Sequence, residues 1–149
     1  MPTFDYRFTV NAPLTKVAAF HHDTRVIKRL TPFPIILQIH RAELLAEGSI
    51  SDFTLWFGPL PVHWVAVHTH VDPLHGFTDT QHQGPLKRWA HTHTFTTAGE
   101  RQTQVHEHIE YEHYPGLKGL RSRLLFARPG LYLLFTYRKL ITRWLVDRD

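Results

Sequence analysis

Apolar and polar residues alternate with period two through most of this chain and change to helical spacing in two places, which sets the order of its elements. Thr3 to Val10 reads as a strand with Phe4, Tyr6 and Phe8 on one side. Asn11 and Pro13 form a helix start, a side-chain cap followed by a ring tolerated in the first turn. Leu14, Val17, Ala18 and His21 then fall at helical spacing. Asp23 can cap a second short helix through Leu30, stopped by Thr31-Pro32 and Pro34.

From Ile35 the alternation returns as six strands: Ile35 to Leu44, Ser49 to Phe57, Val62 to Val71, Gly76 to His82, Lys87 to Thr97 and Gln102 to Glu112. Their separators, among them Glu47-Gly48, Gly58-Pro59, Gly84-Pro85 and Ala98-Gly99, carry turn chemistry. Connections this short favour antiparallel neighbours. Past Tyr114-Pro115-Gly116 the chain reads as helix, with a break expected at Arg128-Pro129-Gly130. Leu134, Tyr137, Ile141, Trp144 and Leu145 form an apolar stripe that must cover something. The order is strand, two short helices, six strands, long helix. That predicts an α+β domain spanning 1–149, its strands curling around the C-terminal helix.

Period-two parity also says where the ring side chains point. From Lys87, one face carries Trp89, His91, His93 and Phe95. From Gln102, Val105, Glu107, Ile109 and Tyr111 share the inward face, and His106, His108, Glu110 and Glu112 the outward one. A hairpin around Gly99 that sets Phe95 opposite Val105 places His93 opposite Glu107, His91 opposite Ile109 and Trp89 opposite Tyr111. A one-residue slip would instead set His91 and His93 against His108 and His106. Through the turn at Gly84-Pro85, Phe77 would neighbour His93, Asp79 would neighbour His91, and Gln81 would neighbour Trp89. The expected result is a polar cluster of Asp79, Gln81, His91, His93 and Glu107 amid Phe77, Trp89, Phe95, Val105, Ile109 and Tyr111.

Three readings suit such a cluster. It can be a buried hydrogen-bond network, since buried polar groups need partners. It can orient a guest in an apolar pocket. It can do chemistry, with histidine and a carboxylate as acid and base or as a loosely patterned two-His-one-carboxylate metal site. No metal and no cofactor is expected. The remaining histidines weigh less: His21-His22 closes a helix, where a cation suits the macrodipole, His68 and His70 share a face without an evident acidic partner, and His75, His82, His106, His108 and His113 read as surface. No Gly-x-Ser-x-Gly and no phosphate-binding glycine loop occurs. Ser49, Ser51 and Ser122 fall away from the cluster.

Composition narrows the classes. The absence of cysteine excludes disulfides, thiolate metal sites and cysteine nucleophiles, and fits a cytoplasmic location. The N-terminal run lacks a signal-peptide layout, and no apolar run approaches the ~20 residues a membrane helix needs. Seven of the 17 Lys and Arg fall between Arg121 and Arg148 at spacings that suit a wet helix face. That reading disfavours nucleic acid as a partner and leaves peripheral contact with anionic lipid open.

The ordered motifs Phe77-x-Asp79-x-Gln81, Gly84-Pro85-Leu86 and Trp89-x-His91-x-His93-x-Phe95 resemble bacterial members of the START-like, or SRPBCC, superfamily. Asn11-Ala12-Pro13, Leu30-Thr31-Pro32, Trp64 after Gly58-Pro59, and Phe135-x-Tyr137-Arg138 extend the resemblance over the chain. It implies a helix-grip fold: a seven-stranded antiparallel sheet around a long C-terminal helix, with a cavity between them. It also implies pocket-wall positions for Asp79, Gln81, His91 and His93. Family members mostly bind hydrophobic small molecules, and some are polyketide cyclases or dehydratases. The expected function is therefore binding of a lipid or polyketide-like molecule, with Phe77, Trp89, Phe95, Ile109 and Tyr111 giving apolar contact and Glu107 joining the polar group. The alternative is a cyclase-type enzyme with His91 or His93 as general base. No catalytic residue is assigned, and the oligomeric state is not read from the sequence.

Overall fold

The structure is a computed structural model that describes residues 2–147. Seven strands form one antiparallel sheet: β1 (Thr3–Val10), β2 (Ile36–Ala42), β3 (Ile50–Phe57), β4 (Leu60–Asp72), β5 (Gly76–Gln83), β6 (Arg88–Gly99) and β7 (Gln102–Glu112). Their spatial order is β1-β7-β6-β5-β4-β3-β2. The first two strands are thus the sheet's opposite edges, and the helical excursion between them crosses its whole width. Along β1 burial alternates residue by residue, Phe4, Tyr6, Phe8 and Val10 inside. Three α-helices and two short 3-10 helices complete the fold among the described residues: α1 (Leu14–His22), α2 (Leu120–Leu125) and α3 (Arg128–Val146), with 3-10 turns at Thr24–Lys28 and Gly116–Gly119. No helix among the described residues is long and apolar enough to cross a membrane.

Helix α3 lies across the concave face. Phe135, fully buried, sits 5.6 Å from the ring of Phe4 and 6.2 Å from that of Tyr6. This is the helix-grip arrangement that the motifs implied.

Local departures from the sequence reading have physical causes. Asn11 does not cap α1; its side chain accepts from Gln102 and its backbone N–H donates to Asp147, tying β1 to the ends of β7 and α3. The cap position belongs to Pro13, whose carbonyl accepts from Lys16 and Val17. Asp23 caps as expected, accepting from the Arg25 N–H, but the turn it starts is a 3-10 helix ending at Lys28. The helical break falls at Phe126–Ala127, one step ahead of the expected one, and Pro129 sits in the first turn of α3. The buried face of α3 carries Leu131, Phe135, Thr142 and Val146. The expected stripe is rotated from it, and Trp144 is 61% exposed. Residues 131–135 are all apolar, so spacing alone does not choose between two stripes. Arg148 lies outside the described residues.

Candidate functional site

The side chains that would fill the concave face are large on one half and small on the other. Where β1, β7 and the far end of β6 meet α1 and α3, Phe4, Tyr6, Phe8, Phe95, Val105 and Ile109 close-pack into a solid core. Toward β2–β5 the facing residues include Ser51 and Ala66, and a cavity of about 380 Å3 remains. Its walls come from β2 to β6, from α1, α2 and α3, and from the segment before β2. Leu133 lines it while 70% exposed, so the mouth opens beside α3.

Strand pairing places the histidine cluster as the alternation predicts. Phe95 faces Val105, His93 faces Glu107, His91 faces Ile109 and Trp89 faces Tyr111; Phe77 faces His93 and Asp79 faces His91. Phe77, Asp79, Trp89, His91 and His93 line the cavity. Phe95, Glu107, Ile109 and Tyr111 are not on its wall: all four are buried in the solid half. Gln81 is not on the wall either. Its amide clamps the turn into β6, donating to the Leu86 carbonyl at 2.7 Å and accepting the Leu86 N–H at 3.1 Å. The β5–β6 pairing ends one residue short of it, at Thr80 and Ala90, so Gln81 never reaches the place beside Trp89.

Two imidazoles and two carboxylates form a closed square. His91 Nε2 is 2.6 Å from Glu107 Oε2, and His93 Nε2 is 2.7 Å from Asp79 Oδ2. The crossing contacts are His91 Nδ1 to Asp79 at 3.7 Å and His93 Nδ1 to Glu107 at 2.9 Å. That last approach is close but off the line a hydrogen bond needs, and His93 Nδ1 is buried with no hydrogen-bond partner among the described residues. The two rings stack on each other at 3.8 Å, and Phe77 stacks on His93 at 4.2 Å.

The environment splits the histidines into two kinds. Burial opposes charge on His93, but the field of Glu107 and the bond to Asp79 outweigh it and hold the pKa at about 9. His91 goes the other way, lowered by burial and then by the His93 cation. Burial would raise both carboxylates; the imidazoles override it, with His91 and His93 lowering Asp79 and taking Glu107 well below its ordinary range. At neutral pH the square therefore holds one imidazolium, one neutral imidazole and two carboxylates. Arg138, whose Nε donates to the Leu30 carbonyl at 3.2 Å, brings a second cation to the cavity wall. Near-neutrality makes so many buried charges tolerable.

Two further histidines line the cavity, and the sequence reading had set both aside. His21 is buried, not a cation at a helix end; burial and then the His93 charge lower its pKa to about 4. Its Nδ1 donates to the Val17 carbonyl, an obligate acceptor. His68, also lowered by burial, donates from Nδ1 to the Ser49 carbonyl at 3.0 Å, with the Ser49 hydroxyl 2.9 Å away. Ser51 lines the cavity too, contrary to expectation. In neutral His91 the proton must lie on Nε2, because Glu107 only accepts. Nε2 of His21 and His68 and Nδ1 of His91 are thus left as lone-pair acceptors. All three rings line the cavity.

Among the described residues, two groups of side chains have metal-ligand spacing: Asp79, His91 and His93 in the cavity, and Asp5, His106 and His108 on the outer face of β1 and β7. In the first, an ion would have to displace the proton His93 shares with Asp79. In the second, Asp5 bridges both imidazoles at 2.8 and 2.7 Å and competes with an ion in the same way.

Neither a protein-family model nor a curated protein sequence matches the chain. Solved structures do. A protein from Chromobacterium violaceum superposes with a TM-score of 0.78 at 13% identity, over 100% of both chains. The Zhui aromatase/cyclase from a Streptomyces species gives 0.77 at 14%, over 99% of this chain and 94% of the other. Major latex-like protein 151 from Panax ginseng gives 0.73 at 12%, over 99% and 98%. These structures share the helix-grip fold of this chain. At such identities the likeness extends to backbone architecture alone.

Proposed function

We propose that this START-like protein binds a compact, ring-containing apolar molecule bearing hydroxyl or N–H donors. The observation that carries this reading is the mixed wall of the cavity. Its aromatic and aliphatic side chains, Phe53, Trp64, Phe77 and Trp89 among them, surround three imidazole lone pairs on neutral His21, His68 and His91. A volume near 380 Å3 lies at the small end of the roughly 300–1,000 Å3 typical of small-molecule sites. An acceptor-rich polar side selects for donors, because a guest without them leaves those nitrogens desolvated and unpaired. The likeness to an aromatase/cyclase fold is consistent with an aromatic guest and adds no residue-level support.

The test is a binding comparison of 1-naphthol with naphthalene. Naphthol should bind saturably and up to about tenfold more tightly, one net hydrogen bond's worth, and Trp89→Ala should weaken both. No saturable binding of either probe, or of a broad panel of hydroxylated aromatics, would remove this reading.

A second reading, a cyclase or dehydratase-type enzyme, is favoured by the inequality of the two imidazoles. His93 is protonated and held between carboxylates, so it does not serve as a base near neutrality; His91 keeps Nδ1 unprotonated at the cavity wall. On that reading His91→Gln should abolish turnover of an aromatic polyketide surrogate while leaving naphthol affinity within a few-fold. If no surrogate is turned over by the unsubstituted protein, binding alone stands.

A further inference from the structure

Charge is distributed unevenly around the cavity mouth. Residues 24–42 and 113–146 hold eleven of the 17 Lys and Arg and none of the 13 Asp and Glu. These two segments form the rim. Thr31, Pro32 and Ile35 line the cavity from one, and Leu125, Gly130 and Leu133 from the other. They are tied together by Tyr137 and Arg138 of α3, which donate to the carbonyls of Arg29 and Leu30.

Arg25 and Arg41 pair with Asp23 and Glu43 just outside the first segment; the cations nearest the mouth, among the described residues, have no carboxylate partner. Arg121 donates to the Pro61 carbonyl, Arg123 to those of Gly116 and Tyr114, and Arg128 to that of Thr3. All of these acceptors are neutral. Lys28 and Arg29 are exposed, and among the described residues neither pairs with a carboxylate. Large apolar side chains stand among these cations: Phe33 at 86% exposure, Leu117 at 89%, Leu124 at 74% and Leu133 at 70%. A basic surface alone would suit any polyanion, but nucleic-acid phosphates offer nothing to those leucines and that phenylalanine. A bilayer surface satisfies both, with anionic headgroups for the cations and acyl-chain depth for the apolar tips.

We propose that the protein docks on anionic lipid membranes with its cavity mouth against the bilayer, Phe33 and Leu124 entering the interface and Lys28, Arg29, Arg121 and Arg128 meeting headgroups. Docking stands on this surface alone; that the cavity then exchanges its guest with the lipid phase rests on the binding reading above.

The test is co-sedimentation of the full chain with vesicles of phosphatidylcholine alone and of phosphatidylcholine mixed with phosphatidylglycerol, at low and high salt. Binding should require phosphatidylglycerol and fall with salt. Lys28→Glu with Arg29→Glu should weaken it by at least about 25-fold, near fivefold for each cation lost. Phe33→Ser with Leu124→Ser should weaken it while leaving naphthol affinity unchanged, since neither side chain lines the cavity. Equal partition onto both vesicle types, wild-type partition by both double variants, or binding of single-stranded RNA in place of vesicles would each overturn the proposal. Vesicle binding without naphthol binding would leave docking standing and end the cavity reading; the converse would do the opposite.

Discussion

Replacing Glu107 with glutamine removes one negative charge from the core and almost no volume, so it isolates the electrostatic part of the histidine square. Glu107 is 5% exposed and touches both imidazoles. Burial alone would lower His93; Glu107 leads the groups that reverse this, and the ring is carried from its ordinary 6.5 to about 9. At about 1.4 kcal/mol for each tenfold change in proton affinity, that elevation is worth roughly 3 kcal/mol to the folded state. The sign follows from which state holds the proton. Below pH 6.5 both folded and unfolded His93 are protonated and the full contribution is present. Between 6.5 and about 9 the unfolded chain loses its proton first and the contribution drains away; above about 9 it is gone. On the acid side, burial would raise Glu107, but His93 and His91 hold it well below 4.5, so its share persists above pH 4.5 and is lost on further acidification.

Asp79 still holds His93 Nε2 in the variant, and a glutamine carbonyl can accept from His91 Nε2. The expected cost of Glu107→Gln is therefore about 2 kcal/mol just below pH 6.5, shrinking toward zero above pH 9. Urea denaturation of both proteins at the two pH values measures it, and NMR titration of the His93 ring should move its midpoint from about 9 toward 6.5. Equal deficits at both pH values, or a wild-type His93 that already titrates near 6.5, would refute the argument.

His21 acts in the opposite direction. Its folded pKa of about 4 means that its contribution is complete above pH 6.5 and is lost as pH falls toward 4, up to roughly 3 kcal/mol. His21→Leu should flatten the acid limb of the stability profile, and an unchanged limb would remove His21 from the acid response. Gly76 enters β5 at φ +133, and a Cβ there would lie 1.9 Å from the His93 carbonyl oxygen, so Gly76→Ala should cost more than about 4 kcal/mol or prevent folding. Gly48, at φ +81 with open space around it, should lose only about 1 kcal/mol on the same change; similar melting-temperature losses at both positions would contradict this.

Strand pairing across β5, β6 and β7 was legible because parity is unforgiving: a one-residue slip would have turned Phe95, Val105 and Ile109 outward. Parity also marked His68, which shares its face with Val62, Trp64 and Ala66, but the search for an acidic partner passed over a histidine held by a backbone carbonyl. Arg138 carries no comparable local signal, since it follows a helix face that is apolar nearly all round at its start. His21 shares the helical spacing of Leu14, Val17 and Ala18, but it sits at a helix end, where exposure is the ordinary outcome. Their place at the cavity comes from tertiary packing of segments far apart in sequence. Gln81 failed for a related reason, since its parity was right while its amide found nearer partners in the Leu86 backbone.

The location of the histidine square follows from side-chain size. Aromatic residues on β1, β6 and β7 fill the space under Phe135, while Ser51 and Ala66 leave the space beside β3 and β4 open. The square straddles that boundary, with Glu107 in the packed half and Asp79 on the cavity wall. A charge within close packing has no room to relax, so the Glu107 side fixes ring orientation and proton position; His91, 5.4 Å from the Phe135 ring, is pinned there by its own bond to the carboxylate. The Asp79 side adjoins empty volume, where a guest can rearrange bonds without opening the core. Rigid support on one flank and accessible nitrogen on the other is what a preorganised recognition site requires. The same asymmetry separates the two carboxylates in their consequences: loss of either is felt as stability through His93, and on the binding reading loss of Asp79 also changes what the cavity accepts.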